Sequence, residues 1–199
     1  MRTIACAAAV LMLAACSGPA EAPAGESTEV ALPAGSAPPA AELAGFSHPA
    51  GVDLFGYYMP ASEVQVGNFR LSHLHMGGVQ EFSDWEGGER SGTYAPVMLQ
   101  FEDVTSPMVS NELGGESRSV TERALADAYR ITPSGDVAFV DNHPRLGRIE
   151  FQGRMDMAAL RADQAGGPSG PDARTVLTGR LVIGDKVFDN LAFTWFGGD

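Results

Sequence analysis

The chain has 199 residues and carries 13 Lys and Arg against 25 Asp and Glu, for a net charge of −12. Its ten Phe, four Tyr and two Trp all lie between Phe46 and Phe196, so one folding unit of ordinary size holds every aromatic ring. This arithmetic excludes a multidomain enzyme, a polytopic membrane protein and a disulfide framework, and the acidity, with Lys186 as the only lysine and the arginines scattered, excludes nucleic acid as a partner.

At the N-terminus, Arg2 precedes an apolar stretch from Ile4 to Ala14, shorter than the roughly 18 residues needed to span a bilayer. The stretch ends in Leu13-Ala14-Ala15-Cys16. That tetrapeptide resembles the lipobox of bacterial lipoproteins. The resemblance implies a signal peptide over residues 1–15, a diacylglyceryl thioether on Cys16 and a palmitate-type acyl chain on the new amino terminus. Ser17 stands where an inner-membrane retention signal would place Asp, which implies an outer-membrane lipoprotein whose domain faces the periplasm. The membrane is then a partner through several acyl chains, each methylene contributing roughly 0.8 kcal/mol. Cys6 leaves with the signal, so no disulfide can form within the domain. Residues 17–45 hold 18 Pro, Ala or Gly among 29 positions, too little apolar bulk to offset ordering entropy. We expect 16–45 to be a lipidated Cys and disordered tether, and 46–199 to be a single β-rich domain.

Along the domain, extended runs are expected at Val52–Met59 and Val64–Met76. Glu81–Glu89 reads as a solvated acidic loop anchored by Trp85. Val97, Leu99 and Phe101 alternate with Met98, Gln100 and Glu102, the period-2 pattern of a strand with one wet face. Ser119 and Glu122 fit a capping box opening a helix over Val120–Arg130, a segment that tertiary context could instead make extended. Strands follow at Val137–Asp141 and Arg148–Met155, and Asp156 caps a short helix through Gln164. Thr175–Ile183 and Val187–Phe196 flank Gly184-Asp185-Lys186, a hairpin signal. Close strand spacing and twenty glycines in the domain indicate a mainly β fold, an antiparallel β-sandwich or barrel with one or two short helices.

For chemistry, no Gly-x-Ser-x-Gly, P-loop, Gly-x-Gly-x-x-Gly or His-Glu-x-x-His motif occurs, and no cysteine remains in the domain as a nucleophile. What remains is Gly67-x5-His73-x-His75, then Glu81 and Gly88. On a strand, i and i+2 share a face, so both imidazoles can converge on one divalent transition metal, with Glu81 as third ligand. The run resembles the first motif of the cupins, in which these residues would be metal ligands. It departs in having five residues between His75 and Glu81, one more than the pattern, and His143 is the only candidate for the second motif's histidine. Two registers are open: Phe69 and Leu71 point inward together with the histidines, or a register break turns Leu74 and Met76 inward and leaves His73 and His75 outside. Trp85 among carboxylates, and the Phe55-Gly56-Tyr57-Tyr58 cluster, are the candidate ligand-binding aromatics.

The sequence therefore indicates an envelope lipoprotein whose β domain is a non-enzymatic binding or interaction module for an envelope protein or glycan. A metal-dependent cupin-like protein using His73, His75 and Glu81 is the alternative.

Overall fold

A computed structural model of the chain describes residues 43–110, 114–167 and 172–198. The expected signal segment, Cys16 and the tether up to residue 42 lie outside these residues. Leu43, three residues ahead of the expected domain boundary, packs with Ala128, Ala138 and Val140.

In chain order, β1 (Phe46–Ser47) and β2 (Gly56–Pro60) precede β3 (Gln65–Val66) and β4 (Phe69–Met76). The run expected as one strand over 64–76 is split by a two-residue hairpin at Gly67-Asn68, with Gly67 at φ +57°. Next come α1 (Val79–Gly87), β5 (Val97–Asp103) and a separate hairpin of β6 (Met108–Ser110) and β7 (Glu116–Arg118). Then follow β8 (Thr121–Leu125), β9 (Ala128–Ile131), β10 (Asp136–His143) and β11 (Gly147–Met155). The chain ends with α2 (Met157–Gln164), β12 (Thr175–Ile183) and β13 (Lys186–Phe196).

The main sheet has the order β1-β9-β10-β11-β12-β13-β2-β4-β5-β8, with β3 beside β4, and every pairing except β1 with β9 is antiparallel. Only Ala126 and Asp127 separate β8 from β9. Ala126 N–H donates to the Val97 carbonyl of β5, and Asp127 N–H donates to the Val140 carbonyl of β10. One run of chain thus borders both ends of the sheet, which curls back on itself around the core. The mainly β expectation holds, with two short helices.

The expected helix over Val120–Arg130 is instead β8 and β9. The local cap signal at Ser119 loses to the ladder that pairs Glu122 with Phe101 and Ala124 with Leu99. Conversely, Glu81–Glu89 is not a loop. Most of it belongs to α1, which buries Phe82 and Trp85 three residues apart, while the Glu81 carboxylate accepts the Gly78 N–H at 2.6 Å. Asp156 caps α2 as expected, accepting from the N–H groups of Ala158 and Ala159 at 2.9 Å.

Inward positions fill the curl. Phe151 stacks on Phe139 with ring centroids 5.1 Å apart and meets Phe193 edge-on at 6.0 Å. Gly153 and Gly179 are cross-strand partners, and a Cβ on either would lie 2.6 or 2.5 Å from the Phe151 ring. The ring therefore occupies the space two side chains would need.

Candidate functional site: an aromatic and imidazole face

The site lies on the outer face of β2, β4 and β5. Ser72 is an extra residue in β4: Leu71 pairs with Phe101, yet His73 pairs with Gln100. This bulge resolves the register left open by the sequence. Leu71, Leu74 and Met76 face the core, while His73 and His75 point outward.

Backbone register then aligns five outward side chains across five strands. Phe196 of β13 pairs with Tyr57 of β2, Tyr57 with His75, His75 with Met98 of β5, and Met98 with Leu125 of β8. Directly paired side chains on one face of a sheet lie within contact distance. The Tyr57 ring sits 5.0 Å from His73, 5.2 Å from His75 and 6.3 Å from Phe196. Phe55 stands edge-on to His75 at 6.0 Å, and Tyr94 approaches the same imidazole at 5.5 Å. Three rings thus box His75, which is only 4% exposed, although the face is open at Phe55 (38%) and Phe196 (42%).

Polar atoms inside the box form a chain. The Tyr94 hydroxyl donates to Glu81 Oε1 at 2.7 Å, so its oxygen accepts from His75 Nε2 at 2.9 Å. A tyrosine hydroxyl has one proton, so His75 carries its proton on Nε2. His75 Nδ1 is then an acceptor, and it is buried with no partner among the described residues. Burial holds the His75 pKa below the ordinary imidazole value, with Glu81 pulling partly the other way. Burial, and then the neighbouring His75, push His73 down to about 4. Desolvation and the bond to Glu81 raise the Tyr94 hydroxyl. Both imidazoles are neutral at pH 7, and Ser72 Oγ sits 3.1 Å from His73 Nδ1.

The expected metal ligands are only partly brought together. His73 and His75 share a face, but Glu81 reaches His75 through Tyr94, and its second oxygen is occupied by Gly78 N–H. Among the described residues no three His, Cys, Asp or Glu side chains gather closely enough to hold a metal ion. His143 is engaged elsewhere. Its Nδ1 accepts the N–H groups of Arg145 and Leu146, and its Nε2 lies 3.6 Å from Glu122.

Of the expected ligand-binding aromatics, Tyr57 and its cluster neighbour Phe55 lie on this face. Trp85 belongs to the core, packed on Phe46 and under the Arg90 guanidinium. Tyr58 is fully buried and donates its hydroxyl to the Leu54 carbonyl at 2.8 Å. Sequence reasoning missed Tyr94 and Phe196. Alternation from the inward-facing Phe193 would have found Phe196. Tyr94 lies in an irregular segment with no periodic signal.

Comparison with protein-family models, curated proteins and solved structures finds no match to this chain.

Proposed function

We propose that this protein is a lipid-anchored envelope module that binds a partner, without catalysis, through the outer face around Tyr57. The observation that carries the reading is the row Phe196–Tyr57–His75–Met98–Leu125. The middle of the row, His75 and Met98, is buried and Leu125 packs against the core, whereas the row's other end is open at Phe196 and beside it at Phe55, the sort of aromatic surface that binding sites use. The anchor at Cys16 and the tether would hold this face away from the membrane.

Two measurements test the reading. Cys16→Ser moves the protein from the membrane to the soluble fraction and ends palmitate labelling. In cells, a photo-crosslinking side chain at Met59 captures a defined partner, and Phe196→Ser abolishes the capture. A crosslinker at Val187, more exposed than Met59 and about 23 Å along β13 from Met59's partner Thr194, gives none. Equal capture from both positions would remove this face as the recognition surface.

A further inference from the structure

We infer that the ligand of this face is a neutral glycan strand, with one sugar ring seated in the hollow beside His73; this rests on the binding-module reading above. The hollow exists because β2 and β4 pair only over 56–58 with 74–76, while β3 takes over at Arg70 and Phe69. Between them the strands part, leaving a space of about 340 Å³ lined by Met59, Ser62, Arg70, Ser72 and Glu102 among others. The bulged Ser72 lines this space and also contacts His73, so the hollow and the imidazole face are continuous.

Chemistry narrows the ligand. Arg70 and Glu102 meet at 3.2 Å in the hollow, partly open to solvent, placing a donor fork beside an acceptor pair. Neighbouring hydroxyls of a sugar ring can satisfy both. Phe55, Tyr57 and Phe196 offer rings for the apolar side of the next sugars. Full charge is not favoured in either sign. The domain is strongly acidic, which repels an anionic polymer, and beside the face Arg70 and Arg123 are matched by Glu102 and Glu81, so the site itself offers neither sign of charge in excess. An extended peptide is also disfavoured, because backbone groups at the hollow are already used: Ala61 N–H donates to Ala192 O, and Leu71 N–H to Val64 O. Strand addition needs those groups free.

The test is calorimetric titration of the full chain in detergent with neutral hexasaccharides of the malto, cello and chito series, and with hexagalacturonate as the anionic probe. The expected result is saturable binding of a neutral hexamer that weakens at least about tenfold in Phe196→Ser and in Arg70→Gln, with both variants still folded and melting within about 5 °C of wild type. Hexagalacturonate should bind at least about tenfold more weakly at low salt. Absence of saturable neutral-sugar binding overturns the glycan assignment. If Met59 crosslinking then still depends on Phe196, the binding-module reading survives with a protein partner. If that dependence is also missing, both fall. Preference for hexagalacturonate overturns the neutral assignment alone.

Discussion

The inner wall at β11 and β12 and the outer wall at β2 and β4 both gather aromatic rings, and they use them differently. Inside, Phe151 lies across the paired glycines 153 and 179, stacked on Phe139, with each ring of the trio almost wholly excluded from water. Outside, Phe55 and Phe196 keep more than a third of their surface exposed, and the buried imidazole between the rings is wired to a tyrosine and a carboxylate. An inward ring contributes cohesion in proportion to the area it buries and the voids it fills. A ring left open beside polar groups contributes little cohesion and offers a surface to something else.

The sharpest way to break this contrast is on the inner wall. Phe151→Ala should lose about 3–5 kcal/mol in urea unfolding, because it removes a buried ring and leaves a void. Gly179→Ala should lose about 1–3 kcal/mol, since its methyl group collides with both the Phe151 ring and the Gln152 carbonyl. The double variant should lose less than the sum, because the smaller residue at 151 relieves part of the collision. Strict additivity would mean that the glycine pair is not there to admit the ring.

On the outer wall the next largest effect belongs to Tyr94→Phe. It strips the partner from His75 Nε2 and from Glu81 Oε1, two polar atoms in a largely dry box, and should cost about 1–3 kcal/mol. It should also raise the rate at which the His75 ring proton exchanges with solvent, followed by NMR. A neutral effect on both would mean that water replaces the hydroxyl freely and that the box is open.

How much of this was legible in the sequence follows from the range over which each signal acts. The hairpin at Gly184-Asp185 and the Asp156 cap were readable because turn and cap chemistry is decided within four residues. The identity of β8 was not. Ser119 and Glu122 carry a sound local helix signal, and only β5, some twenty residues earlier in the chain, supplies the ladder that overrides it. α1 was hidden for the opposite reason: its N-cap is Gly78, with no side chain to announce it, and its burial comes from Phe46 and Tyr129 far away. At the site, the His73 and His75 pairing was visible as i and i+2, but the face they occupy depends on a single bulge at Ser72. A one-residue slip moves every following side chain to the other face, and nothing in Leu71-Ser72-His73 declares it.

Smaller effects test whether the outer rings are dispensable for folding. Phe55→Ser and Phe196→Ser should each change unfolding free energy by about 1 kcal/mol or less, because much of each ring already meets water. Their effect on partner capture should be far greater than that. A loss as large as that of Phe151→Ala would place these rings in the core and end the contrast between the two walls.

The smallest expected effect links the walls through pH. His73, outside, is held down to about 4 from 6.5, so the stability it contributes is present above pH 6.5 and is lost as pH falls toward 4. Asp141, inside β10 and 7% exposed, is pushed up from 3.8 to about 6 by burial and by Asp127. Its stabilising protonated form is present below 3.8 and is lost as pH rises through 6, so the same interval is traversed with opposite sign. His75, also lowered, adds to the His73 direction. Asp103 and Asp136, lowered by their threonine and serine hydroxyl partners respectively, act only below 3.8. His73 and Asp141 nearly offset one another and His75 tips the balance, so urea midpoints at constant ionic strength should fall modestly from pH 6.5 to 4 in the wild type. Asp141→Asn should be more stable than wild type at pH 7 and should lose stability as the solution is acidified. His73→Asn should gain stability over the same interval. Parallel pH profiles for all three proteins would show that neither wall excludes water well enough to shift these groups, and the distinction between a sealed interior and a half-sealed outer box would have to be redrawn from the Tyr94 result alone.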